Sequence, residues 1–284
     1  MGGGSWTRSS FASYTASSKG ATLDCLGVVD TSISNQEMFK KREIDSALNP
    51  YDVMRECLDS EEHPETLPVV LAVDLTGSMG QSAVEVAKKL NVIMTNLYDK
   101  VKDVEFMIMG IGDLYCDIAP IQISQFESDI RIAEQLDKLW FEFGGGGNMW
   151  ESYTAAWYMA SRHCKLDCWK RGKKGIIITM GDERLNPYLQ HKELMLQTGD
   201  DLEADISTED LFAETSEKYD IYHIQVDHSK YDYDHEGIDK SWKILGDNFK
   251  RANLDNIADV IVEIITNNES NTSAIHTNTE GISW

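Results

Sequence analysis

Three small oxygen-bearing side chains, Asp74, Thr76 and Ser78, stand at alternate positions in LPVVLAVDLTGSMG, residues 67–80. They follow directly on an apolar run, and Gly77 and Gly80 let the chain bend tightly around them. One carboxylate and two hydroxyls at i, i+2 and i+4 make a set of hard donors. A magnesium-sized ion takes such oxygens in an octahedron at about 2.1 Å and keeps some of its water. The plainer possibility is a polar strand-to-helix turn in which Thr76 or Ser78 caps the next helix. Asp113 and Asp117, in GDLYCD, offer further acceptors that would tune a cation site from outside or simply face water.

The elements that must position these residues are legible from hydrophobic spacing. Leu67 to Val73 is short, rich in β-branched residues and free of charge, as a strand buried on both faces of a parallel sheet reads. From Ser82 to Lys100, Val86, Leu90, Ile93 and Leu97 recur at helical spacing. Val104 to Ile111 predicts a second strand and Ile118 to Ile123 a third that folds back on it, followed by a helix over Glu127 to Trp140. Four glycines, Gly144 to Gly147, precede a helix from about Glu151 to His163 that carries Tyr153, Ala156, Trp157 and Ala160 inward. Lys173 to Asp182 and Tyr219 to Asp227 read as further strands. Between them lies a helix over Thr208 to Lys218 capped by Ser207 or Thr208, and Leu254 to Ile265 reads as the closing helix. This alternation predicts an α/β fold: a doubly wound, mostly parallel sheet with helices on both faces. Ligands of such sheets sit beyond the carboxyl ends of the strands, where Asp74, Asp113 and Asp182 all fall. Residues 1–66 form an N-terminal arm and extension, the arm disordered or pinned by Trp6, Phe11 and Tyr14; residues 67–267 form the domain and 268–284 a polar, mobile tail.

Composition narrows the function. Of 284 residues, 48 are Asp or Glu against 26 Lys or Arg, a formal charge of −22. Such a surface repels phosphate backbones and anionic lipid, so neither nucleic acid nor a membrane is expected as partner. The N-terminus lacks the apolar stretch of a secretory signal, and no run is long enough to span a bilayer, which points to the cytoplasm. Five scattered cysteines read as reduced thiols. His163, Cys164 and Cys168 lie close in sequence, but no second pair of soft ligands follows at zinc-site spacing.

The pattern Asp74-x-Thr76-x-Ser78 after a buried strand resembles the metal-ion-dependent adhesion site of von Willebrand factor A (VWA) domains, whose signature is Asp-x-Ser-x-Ser. Threonine in the first hydroxyl slot keeps the donor atom. The resemblance covers roughly Leu67 to Asn267. GGGNMWES, residues 145–152, is similar to the GGGDxPES loop of the branch related to hemicentins and alpha-kinase-linked proteins, with Asn148 where that branch has Asp. Asn148 keeps a side-chain oxygen but brings no charge. The glycine loop lacks a threonine, and the nearest hydroxyls are Ser152 and Thr154. Asp182, in TMGDE, comes two residues later than in the commoner Thr-Asp-Gly form, and Glu183 could substitute for it. The resemblance therefore implies Asp74, Thr76, Ser78, Asn148 and Asp182 as ligands, with Asp113, Asp117, Glu151, Ser152 and Glu183 around them or on the rim. It implies Mg2+ as the ion, with Mn2+ or Ca2+ able to replace it.

With few charged ligands the ion keeps positive charge and an open place, so the Asp or Glu of a protein partner can supply the last ligand. Free-standing intracellular relatives often work beside ring-shaped ATPases, which makes such an assembly the expected partner. On this view the chain is a binding module and not an enzyme. Two alternatives stand beside it. DLTGS also resembles the aspartyl-phosphate motif of haloacid-dehalogenase-like phosphatases, with Asp74 as nucleophile, although Thr76 occupies the position of their general acid. The third reading is a structural domain with a vestigial metal site.

Overall fold

The computed structural model describes residues 4–30, 34–142, 150–227 and 234–279. Six strands form the central sheet: β1 Leu67–Asp74, β2 Val104–Ile111, β3 Ile121–Ile123, β4 Gly175–Gly181, β5 Tyr219–Val226 and β6 Phe249–Ala252. Their order across the sheet is β6-β5-β4-β1-β2-β3. Every pairing is parallel except β2 with β3, which is antiparallel as expected of a strand that folds back. All residues of β1, β2 and β4 are buried, which explains why these segments carry apolar side chains without alternation.

Alternate residues of β1 serve two cores. Val69, Leu71 and Val73 pack into one, and Val70 and Ala72 into the other. The first core holds residues of α1 (Arg8–Lys19), α2 (Gly80–Tyr98) and α3 (Arg131–Leu136). The second holds α4 (Thr154–Arg162), α5 (Thr208–Ser216) and Ile238 of α6 (His235–Ser241). Ile257, Ile261 and Ile265 of α7 (Ile257–Thr279) return to the first core. Helices thus cover both faces, and the fold is the doubly wound α/β arrangement the periodicity predicts. Each fully buried Leu or Ile is worth about 1.5–3 kcal/mol relative to exposure.

Local signals account for several boundaries. Ser207 caps α5 by accepting from Asp210 N at 3.1 Å. Thr7 caps α1, and Gly20, at φ 63°, ends it in the left-handed region. The N-terminal arm is pinned rather than loose: Trp6 and Phe11 are buried, and Trp6 Nε1 donates to Asn91 Oδ1 of α2 at 3.2 Å. The expected helix over Glu127–Trp140 shortens to α3. The expected end of the last helix at Ile265 is corrected more strongly, since α7 runs on to Thr279 through sequence read as tail. Asn268, where the apolar pattern has ended, explains part of that continuation. Its side-chain amide donates to Asp220 Oδ2 at 2.8 Å and so docks the polar stretch on β5.

Candidate functional site

The two halves of the sheet wind outward from between β1 and β4, so the carboxyl ends of these neighbouring strands flank a topological switch point. Asp74 ends β1, and Asp182 follows Gly181, the last residue of β4. The carboxylate of Asp74 is fully buried. Its Oδ1 accepts from Thr76 N at 2.8 Å and from Thr76 Oγ1 at 2.6 Å. Thr76 Oγ1 lies 3.2 Å from Ser78 Oγ, so the three donors singled out by spacing do converge. They do not cap the following helix: the residue at that position is Met79, with no side-chain hydrogen bond to the helix. A hydroxyl that donates its one proton to a carboxylate keeps lone pairs for a cation, so the Thr76–Asp74 bond is compatible with ligation by Thr76.

Tyr153 completes the environment of Asp74. Its hydroxyl donates to Asp74 Oδ2 at 2.7 Å and accepts from Glu183 N at 3.3 Å, joining the two strand ends. The approach is so close that a Cβ on Gly181 would lie 2.0 Å from the Tyr153 hydroxyl, and any larger residue there would push the tyrosine off Asp74. Asn186 fixes the start of α4, accepting from Thr154 N at 3.1 Å and donating to Thr154 Oγ1 at 2.6 Å. On the far side, Tyr153 packs against His223 and Trp242, whose rings stack with centroids 3.5 Å apart, and Trp242 Nε1 donates to Glu183 O at 3.1 Å. Sequence reasoning placed Tyr153 on the inner face of its helix but missed this role, and it missed Asn186 altogether. The available signal was the need of a buried tyrosine hydroxyl for a partner, and the strand-end acids were the partners on offer.

The acids expected around the site fall into two kinds. Asp113 and Asp117 shape their own loop: Asp117 Oδ2 accepts from Asp113 N at 2.8 Å, and Asp113 Oδ1 accepts from Tyr115 N at 2.9 Å. Ser152 braces that loop, its hydroxyl accepting from Leu114 N at 3.0 Å. Glu151, expected around the ligands or on the rim, is 4% exposed. It lies in a two-residue parallel ladder, Trp150–Glu151 against Arg184–Leu185, and its buried Oε2 has no hydrogen-bond partner among the described residues. Asn148 lies outside the described residues.

Burial, then the charge of Asp182, pushes the Asp74 carboxyl up against the opposing hydrogen bonds of Thr76 and Tyr153. Glu151 is pushed up further, first by burial and then by the charges of Asp74, Asp117, Asp113 and Glu183. The Tyr153 hydroxyl rises for the same reasons. Among the described residues no group of three or more His, Cys, Asp or Glu side chains is arranged as a metal centre. The donors that could hold a cation here are of another kind, one carboxylate with two hydroxyls, beside buried acids that a positive charge would relieve. His163, by contrast, has both ring nitrogens engaged, Nδ1 with Val53 O at 3.0 Å and Nε2 with Asp200 Oδ2 at 2.7 Å, and Cys164 and Cys168 are buried thiols raised by burial. No helix among the described residues is long and apolar enough to cross a membrane.

No family model matches the chain, and no curated protein matches it. Several solved structures are similar in backbone. The pilus adhesin SpaC of Lactobacillus rhamnosus GG, in its open conformation, is 15% identical with a TM-score of 0.46 over 75% of this chain and 30% of its own. The conserved hypothetical protein BatB of Bacteroides thetaiotaomicron is 15% identical with a TM-score of 0.44 over 73% of this chain and 99% of its own. Proximal thread matrix protein 1 of the mussel byssus is 8% identical with a TM-score of 0.45 over 72% and 48%. The chain thus spans less than a third of the adhesin it matches. Nothing about the site is carried over from any of them.

Proposed function

We propose that this chain is a VWA-type domain that binds a protein partner through a magnesium ion held at Asp74, Thr76 and Ser78, with Asp182 and Asn148 as further donors and Mn2+ or Ca2+ as possible substitutes. The observation that carries this reading is the convergence of Asp74, Thr76 and Ser78 at the switch point of the sheet, where burial and neighbouring carboxylates push the Asp74 and Glu151 carboxyls up. Burying uncompensated charge is costly, and folds keep it where something else supplies the opposite sign. A divalent ion meets that need. When bound, it supplies a Lewis-acidic centre toward an incoming carboxylate. The chain's own part is orientation: Tyr153 holds Asp74 Oδ2, Thr76 holds Oδ1, and Gly181 leaves the room that Tyr153 requires.

Calorimetric titration with MgCl2 tests the reading. Wild type is expected to bind, and Asp74→Ala and Thr76→Val are expected to lose binding by tenfold or more. Unchanged affinity in both folded variants would refute it. The phosphatase alternative has less support, because Thr76 occupies the position where phosphatases of that kind carry their general acid. Magnesium-dependent turnover of a phosphate ester that disappears in Asp74→Asn would reverse that preference.

A further inference from the structure

We propose that the amino edge of the sheet carries a second binding site, a cavity for a small organic polyanion bearing phosphate or carboxylate groups, with Lys100, Lys102 and Lys173 supplying the opposite charge. It is separate from the metal site. The cavity reaches Leu67, the first residue of β1, and Asp103, which directly precedes β2, whereas Asp74 is the last residue of β1. A rise of about 3.3 Å per residue along β1 sets the two edges about 23 Å apart.

Three observations carry it. The first is size. The cavity holds about 880 Å³ between the segments that lead into β1, β2 and β4, with Thr266 of α7 as a further wall. Pockets that take small molecules run from about 300 to 1,000 Å³. The second is sign. Three lysines line the cavity against two carboxylates, Glu65 and Asp103, in a chain whose formal charge is −22. The third is that both carboxylates are engaged while two of the lysines are not. Asp103 Oδ2 accepts from Glu65 N at 3.2 Å and its Oδ1 lies 3.3 Å from His63 Nδ1, and Glu65 pairs with Lys173 at 3.4 Å. Among the described residues the side chains of Lys100 and Lys102 make no hydrogen bond or ion pair, and both are exposed.

The chemistry of the lining sets the ligand class. An ammonium is a compact charge on a flexible stem, so a group of them selects for negative charge within reach more than for one planar geometry. The acids elsewhere on the surface oppose an anion only at range, because at physiological salt a field fades over about 8 Å. Inside the cavity the lysines therefore decide. Leu67 and Val101 give the wall an apolar part, which favours an anion with an organic body over a bare ion. Beside the lining, Arg171 donates Nη2 to Thr66 O at 2.8 Å, and its buried Nε has no acceptor among the described residues.

Calorimetry on the full chain in metal-free buffer tests the site, with citrate and fructose 1,6-bisphosphate as probes and thermal melts as the check on folding. Wild type is compared with the double variant Lys100→Gln/Lys102→Gln, with Lys173→Gln, and with Lys165→Gln, an exposed lysine outside the lining. At least one probe should bind wild type one to one. The double variant should lose affinity about fivefold or more, as expected for two exposed charge pairs. Lys173→Gln, whose charge is shared with Glu65, should lose less, and Lys165→Gln should match wild type. Binding of citrate alone assigns the site to carboxylates, and binding of fructose 1,6-bisphosphate alone assigns it to phosphates. Absence of binding by both probes, or a loss in Lys165→Gln as large as in the double variant, overturns the proposal. Asp74→Ala should bind the probes as wild type does, so a failure of the metal-site reading leaves this inference standing.

Discussion

Two acid clusters in this molecule, one around the buried Asp74 and one around the half-buried Asp200, use similar groups and reach opposite electrostatic ends. At the carboxyl edge of the sheet, Tyr153 donates to Asp74 between the strand ends, and burial, then neighbouring carboxylates, push the Asp74 and Glu151 carboxyls up. At the far end of α4, Asp200 meets His163 at 2.7 Å and the hydroxyl of Tyr158, while Arg162 lies 4.8 Å above the Tyr158 ring and pairs with Glu214 at 2.7 Å. Burial alone would raise Asp200, but the hydrogen bonds from Tyr158 and His163 outweigh it and hold its carboxyl below the usual range. The balanced cluster is a staple. It ties Val53 of the N-terminal extension to the domain through His163, and a parallel pairing of Arg55–Cys57 with Cys164–Leu166 continues the seam. Each cluster has a tyrosine donating to an aspartate; the two differ in burial, Asp74 being fully buried and Asp200 about a third exposed, and in the histidine that Asp200 meets.

The largest expected effect breaks or upholds that contrast directly. Magnesium at a hundred times its dissociation constant should stabilise wild type by about 2.7 kcal/mol, which for a domain of this size is a rise of roughly 5–10 °C in melting temperature. The rise should be absent in Asp74→Ala and unaffected by Asp200→Asn, as measured by thermal melts with and without chelator. Next in size is the staple itself. Asp200→Asn should destabilise the protein by about 1–2 kcal/mol, since Tyr158 and His163 lose a charged acceptor. The same substitution at Asp74 should be neutral or stabilising by up to about 1 kcal/mol in chelator, because it removes a charge from an overcrowded site. Opposite signs for one chemical change at two aspartates, each bound by a tyrosine hydroxyl, read in denaturant titrations, are the sharpest form of the comparison.

The unequal legibility of the two clusters has a physical basis. β1, β2 and β4 are buried on both faces, so their sequences are nearly unbroken apolar runs, and the turn after β1 holds its donors within five residues. Local spacing therefore revealed Asp74, Thr76 and Ser78 and the winding of the sheet. β6 went unread because Phe249–Ala252 is a short edge strand whose residues are mostly only half buried and include Lys250 and Arg251. Glu151 entered only through the resemblance of its loop, as a residue around the site or on its rim, and its depth was not legible there. Its burial comes from the ladder with Arg184–Leu185, more than thirty residues away in sequence. Tyr153 and Asn186 belong to the same class, since their partners sit on other elements and no periodicity in their own segments reveals them. His163 and Asp200 were likewise adjacent only in the fold, which is why a cysteine-histidine spacing drew attention there before the aspartate did.

The smallest effect distinguishes the clusters by where on the pH scale each difference vanishes. The Asp74 carboxyl is pushed up to about 7, so in the folded, metal-free protein it takes its proton well above the unfolded value near 3.9. Acidification from neutral pH toward about 4 therefore stabilises wild type relative to Asp74→Asn, and the advantage of that variant in chelator should shrink across this window. Asp200 runs the other way. Its folded carboxyl lies below the usual range, so its contribution is fully present above the unfolded value and is lost only as the pH falls through the depressed one. The penalty of Asp200→Asn should accordingly hold constant from neutral pH to about 4 and close below it. Differential melts of both pairs in chelator between pH 8 and pH 3 measure the two windows. Coincident windows would mean that the two aspartates share one electrostatic setting, and the case for a cation at the sheet edge would lose its contrast.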